Sequence, residues 1–222
     1  TEGKPLPERI ANPFAVQAPT ELPNDALALR VDRLMRNAKR DGVNASLRAF
    51  GSQLGGSIET ATSPEPLRFE YGSDRNPKTE FITQRYAILL DSNVPVATRL
   101  ATLLHELAHL YCGHLGSPNE SWWPARTDCS ETVSEFEAES VSYILCTRLG
   151  LATRSAEYLS GYIAREPRVP EGVSLDAILR SAVLIQDMMD RALKPRKSVR
   201  DTPAIDADDL DEEPLSREFG FE

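Results

Sequence analysis

The stretch His105-Glu106-Leu107-Ala108-His109 sets the fold and the chemistry expected of this chain. Leucines before, within and after it supply the apolar pattern of a helix. Residues four apart share one helix face, so the two imidazoles can point at a single metal ion. Glu106 lies about 100° around the helix from His105, which places its carboxylate near water rather than on the metal. The motif therefore predicts Zn²⁺ held by His105 and His109, with Glu106 as the catalytic base.

A surface helix can also carry two histidines and a glutamate without binding metal. Two features of the sequence favour the metal site. The chain contains three histidines, and two of them belong to the motif. The motif also lies in the Ala/Leu-rich segment 101–110, where charged side chains are out of place unless they have partners.

A catalytic zinc site usually takes a third protein ligand, and the segment 131–149 is its expected source. Spacings of three and four give this segment an apolar helical stripe. Glu137 falls inside that stripe, where a carboxylate is costly unless it is paired or metal-bound, so Glu137 is the predicted ligand. Glu135 is the alternative, because Glu135 and Glu139 form an E-x-x-x-E pair resembling the ligand-plus-orienter pattern of some zinc peptidases. Otherwise these two glutamates are expected on a solvated face.

A residue that stabilises the developing oxyanion is also expected, and the sequence does not choose it. His114 follows the helix break at Gly113 and is expected beside the metal rather than on it. The oxyanion candidates are Tyr111, Tyr143, Tyr158, Tyr162 and His114.

These segments resemble the ImmA/IrrE family of bacterial zinc metallopeptidases. The similarity lies in Arg85-Tyr-Ala-Ile-Leu-Leu-Asp-Ser-Asn, the helix with HELAH and the later Glu137-Ala138. It implies a strand before the motif helix, His105, His109 and Glu137 as ligands, and Glu106 as base. Thr1-Glu-Gly-Lys-Pro-Leu-Pro and Tyr158-Leu-Ser-Gly-Tyr-Ile more narrowly resemble ArdC-like antirestriction proteins. That likeness implies a DNA-binding domain before residue 1.

Composition sets the expected class and compartment. The chain has 222 residues, 41% hydrophobic and 27% charged, an ordinary balance for a globular protein. Its three cysteines fit reduced thiols, with Cys112 and Cys146 in the core. No membrane span or signal peptide is evident, so a cytoplasmic protein is expected. The net charge of −9 argues against nucleic-acid binding by this chain alone. The cationic helix around Arg33 is expected to be an ordinary solvated face.

The predicted organisation has three parts: an extended linker or arm at 1–23, a metallopeptidase domain at 24–195 and an acidic tail at 196–222. Helices are expected at 24–40, 43–54, 96–112, 131–149, 153–164 and 175–193, with strands between 57 and 91. The adjacent Trp122 and Trp123 are expected either to wall a cleft or to anchor their loop. The fold class is α+β and zincin-like, with a small, mostly antiparallel sheet on a helical bundle.

The function expected from these features is zinc-dependent hydrolysis of peptide bonds, in an intracellular regulatory protein. Its partner is a protein or peptide substrate, without a membrane, and DNA contact is assigned to an N-terminal domain outside this chain. One alternative is a zinc-bearing binding module of an antirestriction-type protein that has no catalytic activity. Another is a zinc hydrolase acting on a small molecule. The sequence specifies neither the substrate nor the oligomeric state.

Overall fold

The structure, a computed structural model, describes residues 23–49, 56–62, 65–73, 75–153 and 169–196. Within these ranges the chain is a mixed α+β fold of four α-helices and two small sheets. The helices are α1 (Asn24–Ala38), α2 (Val96–Tyr111), α3 (Glu131–Arg148) and α4 (Leu175–Asp190). The strands are β1 (Val43–Arg48), β2 (Gly56–Thr60), β3 (Pro66–Ser73), β4 (Asn76–Thr83) and β5 (Tyr86–Asp91).

The sheets differ from the single, mostly antiparallel sheet that was predicted. Strand β5 is central in a three-stranded sheet, pairing in parallel with β1 and antiparallel with β2. Strands β3 and β4 form a separate antiparallel hairpin. The predicted helix over 43–54 is wrong for 43–48, which is β1. Val43, Ala45 and Leu47 alternate with polar residues there, and this period of two fits a strand.

Helix α2 is the centre of the fold, because it contacts α1, α3, α4, β2 and β5. Five of its leucines have no exposed surface, and most of its circumference is buried. A helix that is apolar on all sides is expected to be surrounded by protein. The motif residues therefore project from a helix that its neighbours hold on several sides. This helix was predicted over 96–112 and is confirmed.

Helix α3 is enclosed on two sides, by α2 and by α4. It begins at Ser130, whose hydroxyl accepts a hydrogen bond from the Val133 N–H at 3.3 Å. Its apolar stripe is buried as predicted, and Glu137 within the stripe is fully buried. Glu139, expected on a solvated face, is also fully buried. A helix between two others has two buried faces, so a single apolar stripe does not identify all its buried positions.

Cationic side chains of helix α1 and of the short 3₁₀ helix that follows it, Lys39–Asp41, make contacts within the chain. The Arg33 guanidinium donates to the carbonyl oxygens of Met189 and Asp190, both at 2.9 Å, at the C-terminal end of α4. Arg40 forms an ion pair with Asp41 at 3.3 Å. These contacts give two of the cationic side chains a structural role. The structure describes no helix long and apolar enough to cross a membrane.

The chain continues to pack on the domain through Arg196, the first residue of the predicted tail. Its guanidinium contacts the buried Asp41 carboxylate at 2.5 Å and lies 5.0 Å from the ring centre of Trp122. The Tyr111 hydroxyl donates to the same carboxylate at 2.8 Å. Arg196 thus joins the chain following α4 to Asp41, and through Asp41 to Tyr111 at the end of α2. The predicted arm up to residue 22, the tail beyond 196 and most of the predicted helix 153–164 lie outside the described residues.

Candidate metal centre

Helices α2 and α3 bring three potential metal ligands together. The Nε2 atoms of His105 and His109 lie 3.0 Å apart. The Glu135 carboxylate bridges them, with one oxygen 3.5 Å from His105 Nε2 and the other 3.3 Å from His109 Nε2. Tetrahedral zinc with bonds of about 2.0–2.2 Å separates its ligand atoms by roughly 3.3–3.6 Å. The two carboxylate–imidazole distances fall in this range and the 3.0 Å separation of the Nε2 atoms is shorter, so a small opening of the two imidazoles would give the triangle the dimensions of a zinc site.

Glu139 sets the orientation of His105. Its Oε2 lies 3.1 Å from His105 Nδ1, and the carboxylate is fully buried. A carboxylate accepts hydrogen bonds, so Nδ1 is the protonated nitrogen in neutral His105 and Nε2 presents a lone pair to the site. The other Glu139 oxygen is buried and has no hydrogen-bond partner among the residues that the structure describes. A cation on the far side of His105 would offset the cost of this buried charge.

His109 is oriented by His114 rather than directly by a carboxylate. The two Nδ1 atoms lie 3.1 Å apart, and His114 Nε2 lies 3.0 Å from Glu137 Oε2. Gly113 makes the turn that returns His114 to the site, at φ +91°. A Cβ at position 113 would lie 2.2 Å from the Pro124 carbonyl oxygen. Only glycine fits this turn without displacing the backbone.

The electrostatics of the three ligands favour a positive charge between them. Hydrogen bonds with His105 and then His109 hold the pKa of Glu135 well below its usual range. Burial opposes protonation of His105, but hydrogen bonds to Glu135 and Glu139 raise its pKa to about 9. In the metal-free chain the site therefore takes up a proton. The same carboxylates favour a metal cation in its place.

The predicted ligand Glu137 does not lie beside His105 and His109. The reason is rotation around α3, because Glu137 is about 200° from Glu135 and faces another neighbour. Arg126 donates to both Glu137 oxygens, at 2.5 and 2.8 Å, and the Ser174 backbone N–H donates to one of them at 2.7 Å. The sequence argument located a buried carboxylate correctly, and the structure gives it Arg126 and the Ser174 N–H as partners rather than the two motif histidines. Glu135, the alternative, occupies the third corner.

Glu106 lies against strand β2. Its carboxylate accepts a hydrogen bond from the Ile58 backbone N–H, and the residue is almost fully buried. Burial raises the pKa of Glu106, while the nearby His105 and His109 lower it, and the net shift is upward. A carboxylate with a raised pKa is a better proton acceptor than an ordinary surface glutamate. This environment suits the predicted role of general base.

Cys112, His114 and Glu137 form a second group whose potential ligand atoms lie within 4.8 Å of one another. Burial raises the pKa of the Cys112 thiol to about 12, so the thiolate needed for metal binding is disfavoured. Burial alone would raise the pKa of Glu137, but hydrogen bonds from His114, Arg126 and Ser174 hold it at about 2. Arg126 already supplies the positive charge. This group is better described as an ion-paired cluster than as a second metal site.

The structure bears on two predictions about aromatic residues: which tyrosine could stabilise the oxyanion, and what the adjacent tryptophans do. Tyr111 is buried and donates to Asp41, so its hydroxyl is engaged away from the three ligands. Trp123 is 4% exposed and donates from Nε1 to the Gly116 carbonyl oxygen at 2.9 Å, which favours the role of loop anchor. Tyr143 is partly exposed on α3. Tyr158 and Tyr162 lie outside the described residues.

Two contributors to the site were not assigned from sequence, and a third, Glu139, was identified only as part of an alternative. Arg126 comes from the loop between α2 and α3, where no pattern indicated a partner for Glu137. The Ile58 N–H is a backbone group, and its position depends on strand pairing. Glu139 was recognised only through its spacing from Glu135, and that E-x-x-x-E spacing was the signal that identifies both residues.

No family model matches the chain, and the searches of curated proteins and of solved structures likewise gave no match. The geometry of the described residues is therefore the basis on which a function is proposed.

Proposed function

We propose that this chain is a zinc-dependent metallopeptidase with a zincin-like domain, in keeping with its resemblance to the ImmA/IrrE family. The observation that carries the proposal is the triangle of His105 Nε2, His109 Nε2 and the Glu135 carboxylate. If His105 donates its Nδ1–H to Glu139 and His109 donates its Nδ1–H to His114, both Nε2 lone pairs are directed at the same point. Facing lone pairs 3.0 Å apart repel, and either the proton taken up by the metal-free site or a metal cation in its place removes that repulsion.

Zinc held there would act as a Lewis acid that polarises a carbonyl and makes water more acidic. His105, His109 and Glu135 would hold the ion, and Glu139 would fix the His105 ring. Glu106 takes a proton from the attacking water and returns it to the leaving amine. Its burial keeps bulk water from competing for the proton.

The sheet supports a peptide as the substrate. Strand β2 pairs only with β5 among the described strands, and its other side is an edge of the sheet that these strands form. The Ile58 N–H on this strand reaches Glu106. An extended peptide added along β2 would therefore pass beside the proposed base. This feature favours a peptide over a compact small molecule.

Purified protein is expected to contain close to one zinc ion per chain. Removing it with a chelator should abolish cleavage of a peptide library, and adding back one equivalent of Zn²⁺ should restore it. Metal analysis and mass spectrometry of the products measure the two effects. Stoichiometric zinc without any metal-dependent cleavage would favour the binding-module alternative. Absence of specific zinc binding would overturn the proposal.

A further inference from the structure

We propose that His114, Glu137 and Arg126 form a positioning relay that fixes the tautomer of His109 and so makes its Nε2 available to the metal. This inference rests on the proposed metal site but concerns residues outside the ligand set. His114 and Arg126 both lie in the loop between α2 and α3, and Glu137 of α3 contacts both of them. All three side chains are mostly buried, with Glu137 fully so.

The direction in which each hydrogen bond of the relay is donated follows from the Glu137 carboxylate, which can only accept. Arg126 donates to both oxygens of Glu137, so the carboxylate is held as an acceptor. His114 Nε2, at 3.0 Å, must donate to it. Neutral His114 then has a lone pair on Nδ1.

The second half of the relay determines His109. His109 Nδ1 lies 3.1 Å from His114 Nδ1. Because His114 Nδ1 has a lone pair and no proton, His109 Nδ1 must be the donor. The proton of neutral His109 is therefore on Nδ1, which leaves a lone pair on Nε2. The opposite polarity would put the proton on His109 Nε2, facing His105 and Glu135, and would prevent ligation.

The two proposed histidine ligands thus have different hydrogen-bond partners that orient their rings. His105 contacts the Glu139 carboxylate directly, whereas an imidazole separates His109 from Glu137. Arg126 also donates to the Cys112 carbonyl oxygen at 3.3 Å, just after α2. The relay therefore links His109 on α2 to the loop between α2 and α3. Partners of this kind typically contribute 10–100-fold to metal affinity.

The affinity test compares two substitutions at one position. His114→Phe keeps a planar ring but removes both hydrogen bonds, and we expect zinc affinity to fall by roughly 10–100-fold. His114→Gln offers a carbonyl oxygen to His109 and an amide N–H to Glu137, which preserves the polarity, so it should recover part of the loss. Competition with a chelator measures both affinities. Zinc affinity of His114→Phe within about threefold of the unmodified protein would overturn the relay.

Imidazole NMR tests the relay without any substitution, so it remains decisive if the variants fail to fold. The chain has only three histidines, which makes their ring nitrogens easy to assign. In the ¹⁵N-labelled zinc-loaded protein, His114 should carry its proton on Nε2 and His109 on Nδ1. A proton on His114 Nδ1 would overturn the relay while leaving the zinc site itself intact. Zinc on a His114 nitrogen would overturn both the relay and the proposed ligand set. Failure of the unmodified protein to bind zinc would overturn both.

Discussion

Glu135→Gln is expected to lower zinc affinity by more than about 100-fold, because it removes a ligand and not only a supporting partner. The amide is neutral and is a weaker ligand than the carboxylate between the two imidazoles. Peptide cleavage should fall with the metal content. Metal analysis after dialysis against a weak chelator measures the loss directly.

The matched control is Glu131→Gln, the same substitution on the same helix at an exposed position. It should retain zinc and activity. Glu137→Gln separates the two assignments made for α3. It leaves the three ligands in place and should weaken zinc binding less than Glu135→Gln. Full zinc content in Glu135→Gln, together with its loss in Glu137→Gln, would restore Glu137 as the ligand.

Glu106→Gln should retain zinc and the fold while losing about 10²–10⁴-fold in the rate of peptide cleavage. The oxygen of the amide can still accept a hydrogen bond from the Ile58 N–H, so the local structure should be retained. It has no basic oxygen with which to take a proton from water. Equal zinc content and equal thermal melting would confine the defect to chemistry.

The substrate for this test is best found by comparing cellular proteomes in which the unmodified protein or Glu106→Gln is expressed. New peptide ends seen only with the unmodified protein would identify cleavage sites. Purified substrate then gives the rate ratio. If the two proteomes are identical and Glu106→Gln also supports the full biological effect, the peptidase proposal should be replaced by the binding module.

Much of the helical framework could be predicted because α2 and α3 have strong local signals. The HELAH motif lies in an apolar run, and Ser130 caps α3 with its own hydroxyl. Strand β1 was missed because a short segment with Val43, Ala45 and Leu47 becomes a strand through pairing with the distant β5. The alternation over these six residues is short, and it does not reveal the distant segment with which the strand pairs.

The choice between Glu135 and Glu137 shows where sequence reasoning ended. Burial of Glu137 was predicted correctly from its apolar neighbours. Its partners, Arg126 and the Ser174 N–H, come from a loop and from the start of α4, and neither has a fixed spacing from α3. Buried carboxylates need a partner, but the pattern of one helix does not reveal whether that partner is a metal or an arginine.

The most direct test of the account is anomalous diffraction at the zinc absorption edge from crystals of the zinc-loaded protein. The account predicts one strong peak, about 2.0–2.2 Å from His105 Nε2, His109 Nε2 and a Glu135 oxygen. Glu106 should lie near that peak without coordinating it. A peak among Cys112, His114 and Glu137, or no ordered zinc between the two imidazoles, would contradict the account.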